Sequence, residues 1–153
     1  MSGAGTGTPY DVFRPHRSRI VAVVSAVACV VVFTLVAFTV PRGGVSGWAG
    51  ADSTMLVLFG VVVALILMRY AQVRAVPTTE GVQVRNLMST RTVAWTEVVN
   101  VQFGGGTPWL VLELDDTEHL AVMAIQRSDG ERADAEAGRM AALVQVHSTV
   151  ERS

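Results

Sequence analysis

Few residues in this chain could do chemistry, and they are spaced badly for it. Its 153 residues include three histidines, His16, His119 and His147, and one cysteine, Cys29. His119 follows Asp115-Asp116-Thr117-Glu118, the one place where carboxylates and an imidazole crowd together, and divalent cation binding is the chemistry such a set would serve. Turns favour Asp on conformational grounds, and carboxylates adjacent in sequence rarely converge on one ion without further ligands. A hairpin turn is therefore expected there, and no metal site. His16 and His147 have no nucleophile or ligand partner at a working spacing, so no catalytic residue, no cofactor site and no enzyme activity are assigned. Gly3, Gly5 and Gly7 lack the preceding strand and following helix that a phosphate-binding loop needs. Cys29 lies in an apolar run, which leaves neither a disulfide nor a Cys-based metal site within one chain. Ala26-Val27-Ala28-Cys29 faintly resembles a lipobox, but more apolar chain follows it where a processed lipoprotein would carry a polar linker.

The cations are better placed than the histidines. All twelve basic residues are Arg. Residues 1–76 hold six of them against Asp11 and Asp52, whereas residues 77–153 hold six against eleven acids, giving +4 and −5. The acidic half argues against nucleic acid as a partner, and the basic half suits anionic lipid. Arg14, Arg17 and Arg19 stand before an apolar run, and Arg69 and Arg74 follow a second one; these five are the candidate headgroup contacts. Trp109, placed after Gly104-Gly105-Gly106-Thr107-Pro108, is with Gly105 the candidate contact for a protein partner.

Those apolar runs position everything else. Half of the residues are hydrophobic and the mean hydropathy is +0.42, an excess concentrated between Ile20 and Met68. Ile20–Val40 is uncharged for 21 residues, and at about 1.5 Å per residue it spans the hydrocarbon core of a bilayer as one helix. Pro41 to Gly47 is turn chemistry, Trp48 suits the membrane interface, and Ser53–Met68 is a second uncharged run that reaches about Gln72 once Arg69 snorkels. The expectation is a transmembrane hairpin over residues 20–72, with helices at about 20–40 and 53–72. Ala22 with Ala26 and Gly60 with Ala64 have the spacing that permits close helix approach, a spacing that chance also gives in such composition. Only Arg42 lies in the loop, so the positive-inside bias puts both termini in the cytoplasm of a multi-pass protein of the cell inner membrane. Residues 1–19 are expected to form a flexible cytoplasmic tail.

From residue 73 the pattern alternates. Val82 and Val84 fall to one side while Gln83 and Arg85 fall to the other. Thr92–Trp95, Val98–Phe103, Trp109–Leu114 and Leu120–Ile125 read as further strands. Residues 132–150 carry Ala133, Ala137, Met140, Leu143, Val144 and His147 at helical spacing, with Asp134 and Glu136 in the first turn. Trp95 is expected in the core.

Particular segments carry a resemblance: Phe13-Arg14-Pro15-His16-Arg17 ahead of a two-helix hairpin, then Thr79-Glu80-Gly81-Val82-Gln83-Val84-Arg85-Asn86, Ala94-Trp95-Thr96-Glu97-Val98 and Ala124-Ile125-Gln126-Arg127-Ser128-Asp129-Gly130. Together they resemble the bacterial PH-domain membrane proteins of the low-molecular-weight protein antigen 6 group, common in actinobacteria, over residues 75–145 and the basic motif before the hairpin. The fold class this implies is an α+β membrane protein: a two-helix transmembrane hairpin, then a small PH-like antiparallel β-barrel or sheet with one C-terminal amphipathic helix, over residues 73–153. The module is small for such a barrel, so a strand is expected to be short or supplied by the juxtamembrane segment, and self-association is left open. The implied function is a membrane-anchored interaction module that presents the β-rich domain to a membrane-associated protein at the cytoplasmic face. The alternative is anionic headgroup binding at the inner leaflet.

Overall fold

The computed structural model describes residues 7–41 and 47–150. Residues 1–6 of the expected tail, and most of the expected turn at 41–47, lie outside them. Among the described residues the helices are α1 (His16–Thr39), α2 (Gly50–Ala71) and α3 (Glu131–Val150). The strands are β1 (Arg74–Pro77), β2 (Gly81–Arg85), β3 (Thr90–Ala94), β4 (Val98–Gln102), β5 (Trp109–Leu114) and β6 (His119–Gln126). The chain divides into two compact units, residues 18–72 and residues 1–17 with 73–153.

The first unit is the helical pair. Both helices are long and apolar enough to cross a membrane. Gly60 is buried, and a Cβ there would come within 2.8 Å of the Phe33 Cβ; glycine is what lets the two helices approach. The Phe33 and Phe59 rings meet edge to face at 5.5 Å. Trp48 Nε1 donates to Ser53 Oγ at 3.0 Å, and that hydroxyl donates to the Ala37 carbonyl at 3.0 Å.

The second unit is built from β1-β2-β3 and β4-β5-β6, two antiparallel three-stranded sheets. They do not close into a barrel. Alternation predicts one strand over Thr92–Trp95, but at Trp95 the chain turns into a short 3₁₀ segment, Trp95–Glu97, that carries it from the first sheet to the second. The Trp95 ring is 2% exposed and its Nε1 donates to the Thr78 carbonyl at 2.9 Å. Where the sheets meet at β6, the Asn86 side chain stands in for a backbone rung: Nδ2 donates to the Ala121 carbonyl at 2.7 Å and Oδ1 accepts from the Met123 N–H at 3.2 Å. Gly81 is required on β2, since a Cβ there would sit 2.1 Å from the Val93 carbonyl oxygen. Helix α3 closes the core with Ala133, Ala137, Met140, Leu143 and Val144, against Val82, Val93, Leu110, Leu112, Val122 and Ile125 among others.

The stretch before α1 departs from the expected tail. Phe13 is fully buried in this core and pairs with Ala75 through backbone bonds of 2.9 and 3.0 Å. The Asp129 carboxylate accepts the N–H groups of His16 and Arg17, both at 3.0 Å, so α1 starts at His16 and not at Ile20. An acceptor 112 residues away in the chain satisfies donors that would otherwise be orphaned at a helix start.

Candidate functional site

The acidic cluster by His119 forms a turn. Asp116 Oδ1 accepts from the Glu118 N–H at 3.0 Å, Thr117 takes a positive φ of 66°, and Glu118 pairs with Arg91 at 2.6 Å. That contact raises the Arg91 pKa, first through the hydrogen bond to Glu118. Among the described residues no three His, Cys, Asp or Glu side chains stand together as a metal site would need.

His147 sits in a different setting. Its Nδ1 lies 2.8 Å from the Leu143 carbonyl, which can only accept, so Nδ1 carries a proton, and Nε2 lies 3.1 Å from the Tyr10 hydroxyl oxygen. The imidazole stacks on Trp95 with 5.2 Å between centroids. Beside it, Arg139 Nη1 donates to the Asp11 carbonyl at 2.9 Å, and its guanidinium lies over the Phe13 ring. Residues 7–10 and one side of α3 border a groove of about 490 Å³, lined by Tyr10, Arg139, Ala142, Leu143, Val146 and His147 among others. Val146 is 58% exposed there. Both ring nitrogens of His147 have structural partners and no nucleophile adjoins them, so the arrangement suits apolar contact with a polar edge.

The five candidate headgroup cations fall into two groups. Arg19 and Arg69 belong to the helical unit; Arg14, Arg17 and Arg74 belong to the β-rich one. Arg17 Nη1 donates to the Ser128 carbonyl at 3.3 Å. Arg74 is the cross-strand partner of Arg85, a residue absent from the five. Trp109 opens β5 on its outward side, half-buried, and its carbonyl accepts from Thr107 Oγ1. Gly105 is exposed with a φ of 63°, a conformation that favours glycine. Neither residue borders the groove on α3. Tyr10, Arg139 and Val146 do, and sequence reading did not select them; Tyr10 and His147 are 137 residues apart, and no local pattern joins them.

Residues 72–142 match the family model described as a bacterial PH domain. Uncharacterized proteins of Mycobacterium bovis and of two Mycobacterium tuberculosis strains are each 35% identical over 133 residues, covering 84% of this chain and 86% of the relative. The chain belongs to the bacterial PH-domain family. Its PH domain thus begins, by family match, just after α2, yet its core includes Phe13, which lies before α1. PH-like domains are in general interaction modules and not enzymes, and nothing in this site shows catalysis. No solved structure matches the chain.

Proposed function

We propose that this protein is a membrane-anchored interaction module whose PH domain meets a protein partner at the cytoplasmic face of the cell membrane. The observation that carries the reading is the groove on α3, where the exposed Ala142 and Val146 offer apolar surface and Arg139 and His147 give it a polar edge. A cavity of that size with few polar groups is the ordinary form of a recognition site. The open edge of β4 competes poorly as a docking strip. A bulge at Val98 and Asn100 interrupts its register, and the Asn100 side chain takes up the Val101 N–H at 2.9 Å, both features that discourage strand addition. The hairpin is read as the anchor from the length and hydropathy of α1 and α2, and the arginine bias supports cytoplasmic termini.

A photocrosslinking residue placed at Val146 in the full-length protein tests this in intact membranes. One discrete adduct is expected, lost when the exposed groove residue Ala142 is changed to Arg. Labelling of lipid alone, or an adduct indifferent to Ala142→Arg, would remove the groove as a partner site.

A further inference from the structure

The groove on α3 takes its lining from both sides of the helical pair in sequence. Gly7 to Tyr10 precede α1, whereas Arg139, Ala142, Val146 and His147 follow α2. The two parts are fastened to each other: the Tyr10 hydroxyl lies 3.1 Å from His147 Nε2, and Arg139 Nη1 donates to the Asp11 carbonyl at 2.9 Å. Just beyond them in the chain, Phe13 and Pro15 are fully buried, and Phe13 exchanges two backbone bonds with Ala75.

That exchange constrains how often the chain crosses a membrane. Residues that trade both backbone bonds in an antiparallel pair lie about 5.5 Å apart, so the chain that departs after Phe13 has come back to the same side by Ala75. A chain that departs and returns on one side of a bilayer crosses it an even number of times. Helix α1 has 24 residues and α2 has 22, and at about 1.5 Å per residue each is long enough for one crossing. Either helix crossing alone would set Phe13 and Ala75 on opposite faces. The backbone pair, the Asp129 contacts to the His16 and Arg17 amides and one side of the groove would then be lost together. What is left is a small domain without Phe13, one of its two largest buried side chains, at a size where burial is already marginal.

We propose that the groove is switched on by completion of the hairpin: it assembles only when residues 73–153 share a compartment with residues 7–13, which in the membrane requires both α1 and α2 to cross. The order of synthesis strengthens this dependence. A chain emerges from its N-terminus, so Phe13 is made before either helix and Ala75 only after both. A copy caught with a single crossing presents no groove, and a partner at the membrane meets only fully inserted copies. That use of the groove rests on the partner reading above, whereas its assembly does not.

The test follows the full chain in membrane vesicles, with Cys29 changed to Ala. Single cysteines at the exposed positions Val12 and Gln145 are labelled with a membrane-impermeant maleimide in right-side-out and inverted vesicles, which reports the face on which each lies. Ala137→Cys on α3 and Ala124→Cys on β6, both at buried positions, report assembly through their labelling rates with N-ethylmaleimide, and two reporters tell a local misfit from an open domain. In the parent, positions 12 and 145 are expected on one face and both reporters protected. Changing Leu58, Val62 and Leu65 to Arg makes α2 too polar to cross; position 145 should move to the opposite face and both reporters label at least tenfold faster. Adding Val24→Arg, Val27→Arg and Val31→Arg removes the other crossing, which should place the chain in the soluble fraction and restore protection. Reporters still protected in the three-arginine variant, still open in the six-arginine variant, or open in the parent overturn the proposal. So do positions 12 and 145 on opposite faces in the parent, or a three-arginine α2 that leaves position 145 in place. No partner enters this measurement, so a missing adduct at Val146 and a groove that forms regardless of insertion are distinct results.

Discussion

Arg139 on α3 holds its guanidinium carbon 3.8 Å from the centre of the Phe13 ring and donates to the Asp11 carbonyl at 2.9 Å. One side chain thus fastens the segment before α1 to the last helix of the PH domain, and the ring beneath it fills the core. The domain is discontinuous in sequence: a strand-like piece from before the hairpin completes what residues 73–150 begin.

Phe13→Ala should therefore act as a core deletion, lowering stability by about 3–5 kcal/mol. Arg139→Gln, which keeps a donor but loses the cation over the ring, should cost about 1 kcal/mol. Denaturant unfolding of the full chain, followed by tryptophan fluorescence, measures both. A Phe13→Ala protein as stable as its parent would mean that the segment is dispensable.

Asp129 caps a helix from outside that helix's own sequence. Asp129→Ala should cost about 1–2 kcal/mol, and Asp129→Asn less, since one acceptor oxygen remains. Amide hydrogen exchange at His16 and Arg17 should accelerate in the alanine variant while exchange in the middle of α3 stays slow. Unchanged protection at these two amides would show that the carboxylate is not their acceptor.

Asn86 joins the two sheets through both ends of one amide. Asn86→Ala leaves the Ala121 carbonyl and the Met123 N–H without their partner, at a cost of about 1–3 kcal/mol. Asn86→Asp should be no better, because a carboxylate would face the Ala121 carbonyl with no proton between them. Faster exchange at the Met123 amide, with Leu112 unaffected, is the local signature.

Burial pushes the Glu136 carboxyl above the usual carboxylate range, against the pull of Arg132 and Arg139. The folded state therefore holds this proton more tightly than the unfolded chain. The contribution is most favourable below the ordinary carboxylate pKa, declines as pH rises through the folded value, and is level above it. Glu136→Gln removes that dependence, so the variant should gain on the parent in thermal midpoint across this window. A parent that gains on the variant as pH rises would reverse the assignment.

The strands and α3 were legible because their burial follows simple periods. Val82 and Val84 lie inward on β2, and α3 buries Ala133, Ala137, Met140 and Val144, as alternation and helical spacing require. Trp95 is core, but the strand expected to contain it ends at Ala94, because a local pattern of β-formers does not record where a chain changes sheets. The candidate sites were less legible. Five arginines could be chosen by their closeness to apolar runs, yet the pairing of Arg74 with Arg85 exists only through strand register, and the groove on α3 only through a contact spanning most of the chain.

By itself the sequence determined composition and local pattern: two helices long and apolar enough to cross a bilayer, a run of alternating strands, a C-terminal amphipathic helix, and a family. These follow from hydrophobicity and residue spacing, which act over one or two turns of chain. Tertiary structure alone decided that Phe13 belongs to the PH core, that Asp129 sets the start of α1, that Asn86 bridges the sheets in place of barrel closure, and that Tyr10 meets His147. Each is a directional contact between residues at least 35 positions apart. Partners at such range leave no periodic mark in the sequence, because the folded backbone, not chain proximity, brings them together.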